Sequence, residues 1–169
     1  ASVEALEALF NELLDISKLD SGVIEPRIAA FALQPMFARL ETEFRPTAAE
    51  KGLKLSIAPT RAVVTSDPVL LERIVRNLVA NAIRYTEHGS VLLAARRRGH
   101  RLRIEVRDSG VGIPADKQVL VFEEFVQLAN PTRDRTKGLG LGLSIVERLA
   151  RLLQHEIGLH SAAGRGSVF

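Results

Sequence analysis

The chain has 169 residues, 46% of them hydrophobic, which is enough to bury one core and leave some length for an appendage. Its 23 Lys and Arg against 20 Asp and Glu give a formal net charge of +3, too small an excess to imply nucleic-acid binding. The absence of cysteine excludes disulfides, thiolate zinc sites and thiol nucleophiles, and it suits a reducing compartment such as the cytoplasm.

No stretch reaches the ~18 uninterrupted apolar residues of a membrane span. Ala1 opens directly into an amphipathic pattern without a basic start or a cleavage site, so the chain reads as a soluble piece excised from a longer protein, and a parent anchored in a membrane elsewhere is compatible with it. From Ala1 to about Leu19, Val3/Phe10, Leu6/Leu13 and Leu9/Ile16 are each seven apart, the pattern of a bundle helix or of a surface helix folded onto its own domain. Asp20-Ser21-Gly22 stops it, and the stretch to Pro35 reads as an extended linker with one short strand.

A second helix is predicted from about Pro35 to Lys51, kinked or restarted at Pro46, which lacks the donor a helix needs. Leu53–Ile57 and Ala62–Thr65 read as strands. Asp67 as N-cap with Pro68 at the first helical position announces a helix to about Tyr85. Ser90–Arg97 and Arg101–Arg107 form a strand pair around Gly99. Arg96, Arg97, Arg98, Arg101 and Arg103 make this the one dense basic run; it reads as a solvated hairpin, and no nucleic-acid partner is expected. A glycine turn follows Asp108, then a short helix near Ala115–Val121, a polar segment over 127–137, a helix over Leu141–Leu153, and strands near Ile157–Ser161 and Ser167–Phe169. This mixed order predicts an α+β fold, a two-layer sandwich with helices on one face of a mixed sheet.

In NLVANAIRYT, Leu71, Ile74, Val75, Leu78 and Ala82 form one stripe, and Asn77, Asn81 and Arg84 fall at i, i+4 and i+7 on a neighbouring one. Asparagine is a poor helix former and a buried amide needs partners, so two readings stand. Both amides hydrogen-bond neighbouring loops, or one amide oxygen ligates Mg²⁺, a hard cation that takes oxygen ligands, while Arg84 neutralises phosphate charge.

DSGVGIP follows directly from a strand. Asp108 at the strand end is placed to accept from an exocyclic amine such as that of adenine, with Ile113 as an apolar wall; the alternative is an ordinary Asp-Ser-Gly turn. GVGIPA also matches the end of a dinucleotide fingerprint, but the helix after it is too short, carries Pro114 and leads into FEEF, not a second parallel strand.

In KGLGLGLSIVERLARLL, Gly138, Gly140 and Gly142 precede or open a helix, where exposed N–H groups and the helix dipole make a phosphate cradle. No Gly-Lys-Ser/Thr closes it, so it is not a P-loop. Seven of the 12 glycines lie in GVG, GLGLG and GRG, concentrated in motifs and not scattered among turns. Phe122 and Phe125 precede a basic stretch with Arg133, Arg135 and Lys137, which reads either as a hinged lid reaching phosphate or as core aromatics with a solvated loop. The four histidines, His88, His100, His155 and His160, have no metal-ligand spacing, and no serine nucleophile elbow is present.

Taken in order, NLVANAIRYT, DSGVGIP, FEEF, GLGLGL and GRGSVF resemble the catalytic domain of sensor histidine kinases, in the ATPase superfamily shared with gyrase, the ninety-kilodalton heat-shock chaperone and the mismatch-repair MutL proteins. The likeness spans roughly residues 33–169, and LLDISKLDSG resembles the end of the second helix of the family's dimerisation and histidine-phosphotransfer domain. It implies a Bergerat-type ATP-binding fold over 35–169, a linker at 23–34, and the end of the phosphotransfer helix at 1–22.

The resemblance implies that Asn81 is the principal Mg²⁺ ligand, with Asn77 beside the phosphates and Arg84 where the family usually has a phosphate-contacting lysine. Tyr85 would lie against the nucleotide, Asp108 would bind the adenine amine, and Gly110, Gly112 and Ile113 would shape the base pocket. Gly138, Gly140 and Gly142 would hold the phosphates, and Phe125, Lys137, Leu139, Leu141 and Leu143 complete the ATP-binding positions. Lys137 and Leu139 replace the first glycine and the threonine of the usual Gly-Gly-Thr-Gly-Leu-Gly-Leu, so a hydroxyl contact to phosphate is missing. Hydrolytic relatives carry a water-activating glutamate where this chain has Asn77, which cannot act as that base. The implied activity is therefore transfer of the ATP γ-phosphate to a histidine on a separate helical domain of the parent chain. That parent would be a homodimer relaying to a response regulator, with no catalytic residue assigned here. The alternatives are an anti-sigma-like serine kinase or weak ATPase of another branch, and a non-catalytic nucleotide-binding module.

Overall fold

The computed structural model describes residues 10, 11, 13, 14, 16–126 and 140–169. The expected heptad positions Val3, Leu6 and Leu9 and the polar stretch 127–137 lie outside the described residues. Residues 16–20 are helical; Ile16, 6% exposed, joins the main core with Leu19 packed against it, whereas Phe10, 62% exposed, faces solvent. Arg148 ties this helix end down, its Nε donating to Asp20 Oδ1 at 2.8 Å while the guanidinium also pairs with Glu124.

Strand β1 (Ala29–Ala32) lies in the expected linker and pairs antiparallel with β3 (Val63–Ser66), Ala29 opposite Ser66. Helix α1 (Leu33–Glu50) starts two residues before Pro35, which sits in the first turn, where its missing donor has no intrahelical partner to lose. The helix does not restart at Pro46. One backbone bond is forfeited there, but Leu33, Met36, Phe37, Leu40 and Ala48 stay buried along one stripe, and packing of that stripe carries the helix.

Helix α2 (Pro68–Tyr85) begins as expected. Asp67 Oδ1 accepts from Val69 N and Leu70 N, both at 2.9 Å, and its Oδ2 accepts from Arg27 N at 2.7 Å, so one carboxylate caps α2 and holds the linker. Replacing Asp67 with alanine is expected to cost about 1–2 kcal/mol and lower the melting temperature by a few degrees. Urea denaturation should read this as a lowered midpoint with an unchanged slope. At the other end Lys51 Nζ donates to Ile83 O (2.6 Å) and Arg84 O (3.1 Å), satisfying terminal carbonyls of α2.

The main sheet has the order β2-β4-β5-β7-β6, formed by Lys54–Ile57, Ser90–Arg98, Arg101–Asp108, Ser167–Val168 and His160–Ser161 in that order. β2 runs parallel to β4 and the other pairs are antiparallel, so the sheet is mixed. Val91, Leu93 and Val106 point inward to one core with the buried stripes of α1, α2 and α3 (Gly142–Leu152). The alternate residues of β4 and β5 form the opposite face. Strand β6 is shorter than the expected Ile157–Ser161, because only His160 and Ser161 find partners, on the two-residue β7. The single helix expected over Ala115–Val121 is instead two 3₁₀ turns, Ala115–Lys117 and Leu120–Phe122. Half-buried Gln118 lies between them, Nε2 donating to Ile113 O (3.1 Å) and Ser161 O (2.9 Å), which anchors the segment to β6. No helix among the described residues is long and apolar enough to cross a membrane.

Candidate nucleotide-binding site

Two clusters form along one side of α2. The first gathers Asn77, Asn81 and Gly142. Asn77 Nδ2 donates to Arg73 O at 3.0 Å, one turn back, which turns its Oδ1 away toward the start of α3. A Cβ at Gly142 would lie 3.4 Å from Asn77 Oδ1 and 3.6 and 3.7 Å from the amide atoms of Asn81, so glycine leaves open the space between the two amides and the helix end. Among the described residues no side chain caps α3, whose N-cap is Leu141, so its first N–H groups have no side-chain acceptor there. Among the described residues the Asn81 amide has no protein hydrogen bond, and it is not sealed from solvent.

The second cluster surrounds Asp108 at the end of β5. Its Oδ1 accepts from Gly110 N at 2.9 Å and Ser167 N at 3.3 Å; its Oδ2 has no protein donor among the described residues. Burial pushes this carboxyl above the usual aspartate value, the two backbone donors pulling less strongly the other way. Gly110 is obligatory for close approach: a Cβ there would meet Tyr85 O at 2.4 Å, Asp108 Oδ1 at 2.9 Å and Thr86 Oγ1 at 3.0 Å. Gly112, at φ +67, would drive a Cβ to 1.9 Å from Ala162 O. Ile113 N donates to Ser161 Oγ at 2.7 Å, which pins the end of the glycine turn to β6.

Asn81 and Tyr85 are four residues apart, a rise of about 6 Å, so the two clusters sit one turn apart on α2. A helix start beside the free Asn81 amide and the Asn77 Oδ1 at one end, and a half-buried carboxylate with a free oxygen at the other, suit an extended ligand that is polyanionic at one end and carries an amine-bearing ring at the other. The Asn81 amide oxygen is the donor type that Mg²⁺ takes, and the arrangement fits that cation beside phosphate.

Of the other expected site residues, Arg84 is exposed at the last turn of α2 and Tyr85 is half-buried, its carbonyl accepting from Val111 N at 3.4 Å. Leu141 is fully buried and packs in the core, while Leu143 is half-buried. Phe125 and Gly140 meet: Phe125 N donates to Gly140 O at 3.1 Å, and Phe125 is 57% exposed with φ +62. Lys137, Gly138 and Leu139 lie outside the described residues. Sequence reasoning missed Thr86, Ser161, Ser167 and Gly166, which enclose Asp108; a Cβ at Gly166 would fall 2.0 Å from Asp108 O. The GRGSVF motif was the only signal for the last two.

Residues 66–169 match the family described as Histidine kinase-, DNA gyrase B-, and HSP90-like ATPase, and the chain belongs to that family. Within it, this is the catalytic ATPase domain of the sensor histidine kinase type. A sensor-like histidine kinase of Rhizobium meliloti is 36% identical over 166 residues, covering 96% of this chain and 32% of the relative. The sensor histidine kinase RcsC of Escherichia coli is 33% identical over 171 residues, covering 99% of this chain and 18% of RcsC. Among solved structures, full-length ShkA in complex with AMPPNP superposes with a TM-score of 0.84 at 31% identity, covering 97% of this chain and 34% of ShkA. The chain thus spans about a third of two of these relatives and less than a fifth of the other.

Proposed function

We propose that this domain binds Mg-ATP across the two clusters and directs transfer of the γ-phosphate to a histidine on a helical domain of its own parent chain, for relay to a response regulator. The observation that carries the reading is the convergence of Asn77, Asn81 and the open start of α3 at Gly142. Asn81 Oδ1 would hold Mg²⁺, which would supply charge neutralisation to the bound phosphates. The first N–H groups of α3 and Gly140–Gly142 bind phosphate; Asp108 Oδ2 accepts from the adenine amine and fixes the base.

Asn77 is no base, and its Oδ1 only lines the space, so the site positions the reactants without activating water. In the transfer the γ-phosphorus bond to the leaving ADP oxygen breaks, a bond to imidazole nitrogen forms, and the imidazole proton passes to a base on the helical domain. The chain's own histidines are not suited as acceptors. His88 and His100 sit in exposed turns and His160 on β6, and His155 is held by Ser66 Oγ at 2.8 Å. We assign residues 1–22 to the end of the phosphotransfer helix, 23–34 to the linker and 35–169 to the ATP-binding domain, in a parent that is dimeric.

With labelled ATP and magnesium the chain alone should stay unlabelled, and adding the parent's helical domain should put acid-labile, base-stable label on that domain. Acid-stable label on a serine of a partner, or release of free phosphate with no labelled protein, would favour another branch of the family.

A further inference from the structure

The face of the sheet turned away from the helices carries a charge that nucleotide binding does not use. On β4 and β5 the outward positions include Arg96, Arg98, Arg101, Arg103 and Arg107, and the one acid among them is Glu105. Glu105 is buried, its side chain 8% exposed, and gathers three guanidiniums: Arg96 and Arg107 at 3.5 Å and Arg103 at 3.8 Å. These contacts are long and none is a hydrogen bond, so the N–H donors of the three guanidiniums stay available to a partner. Arg101 pairs with Glu156 at 2.8 Å, and Arg98 has no ion-pair partner among the described residues. Five guanidiniums against two carboxylates leave a surplus of positive charge on one face.

We infer that this face is a docking surface for an acidic protein. Guanidinium forks match carboxylates and phosphates alike, so the rest of the face decides between partners. No Phe, Tyr or Trp lies between Tyr85 and Phe122 in sequence, so the hairpin carries none of the large rings on which single-stranded bases stack, and a formal net charge of only +3 gives the whole chain little sequence-independent attraction for a duplex. The exposed large apolar side chains among the described residues all lie off this hairpin, so nothing at its tip inserts into a bilayer. Half-buried Leu92 and Val168 flank Arg107 in register, which puts an apolar strip beside the arginines. Arginine in preference to lysine around an apolar strip is the composition of a protein interface.

The test uses the intact chain, isotope-labelled, with poly-L-glutamate as the probe and a DNA duplex and phosphatidylserine vesicles as the other arms. Poly-L-glutamate should shift amides of β4 and β5 selectively. Arg96→Glu with Arg103→Glu should weaken its binding at least about tenfold, while Arg45→Glu with Arg61→Glu, the same change in net charge elsewhere, should leave it within about twofold. Because the first pair abuts Glu105, Arg98→Glu alone provides a variant that leaves that cluster intact, and it should weaken binding in the same direction. ATP affinity should be unchanged in all of them, which separates this surface from the nucleotide site. Shifts spread over the whole surface, equal losses in the control pair, or tighter binding of duplex or vesicles than of poly-L-glutamate at matched ionic strength would each overturn the inference.

Discussion

Asn81→Ala is expected to weaken ATP binding about a hundredfold in magnesium, a loss near 3 kcal/mol, and to leave binding in EDTA almost unchanged. The asymmetry follows from the role proposed for the amide, which would hold the cation that neutralises phosphate charge. Without the metal, Asn81 has little to lose. The fold should not suffer, because the Asn81 amide has no protein hydrogen bond among the described residues and alanine is the better helix former. The melting temperature of the free chain should stay level or rise slightly. Titration calorimetry in the two buffers, beside a thermal melt, separates the outcomes. Equal losses with and without magnesium would remove Asn81 from the metal site, and a lower melting temperature would mean that its amide supports the fold.

How much of this was legible beforehand depended on whether the cause is local. The start of α2 was, because Asp67-Pro68 states both the cap and the first-turn proline within two residues, and the structure bears out each. The β4–β5 hairpin was, because one glycine turn joins two β-rich runs. The Ala115–Val121 segment was misjudged as one helix: Gln118 between its two turns is anchored to Ser161, more than forty residues away, and no local pattern reports that. The asparagine pair was legible as a stripe on a helix, but the space it faces exists only because α3 starts at Gly142, sixty-one residues beyond Asn81. The shell around Asp108 was hidden for the same reason. Ser167 and Gly166 reach it only after β7 pairs with β5, a register that a two-residue strand does not announce.

Asp108→Asn is expected to separate recognition from stability. Wild-type Oδ1 accepts from Gly110 N and Ser167 N, and asparagine can keep both bonds with its amide oxygen. Its Nδ2 then stands where Oδ2 stood, donor against the donor amine of adenine, and ATP affinity should fall about thirtyfold to a hundredfold. The carbonyl of guanine accepts from that same amide, so GTP, a poor competitor for the wild type, should compete with ATP on near-equal terms. Stability moves the other way. Burial raises the folded-state pKa of Asp108 above its unfolded value, so its favourable contribution is complete below the unfolded pKa and is lost as pH rises through the folded one. At neutral pH the ionised carboxyl is a burden that a neutral isostere lacks, and the variant should melt at or above the wild-type temperature. As pH falls through the carboxylate range the wild type should gain on the variant. Wild-type ATP affinity should drop over the same range, because protonation removes the acceptor. Thermal melts across that range and competition of GTP against a labelled ATP analogue read the two effects. If the variant kept its preference for ATP, Asp108 would not be the group that identifies the base.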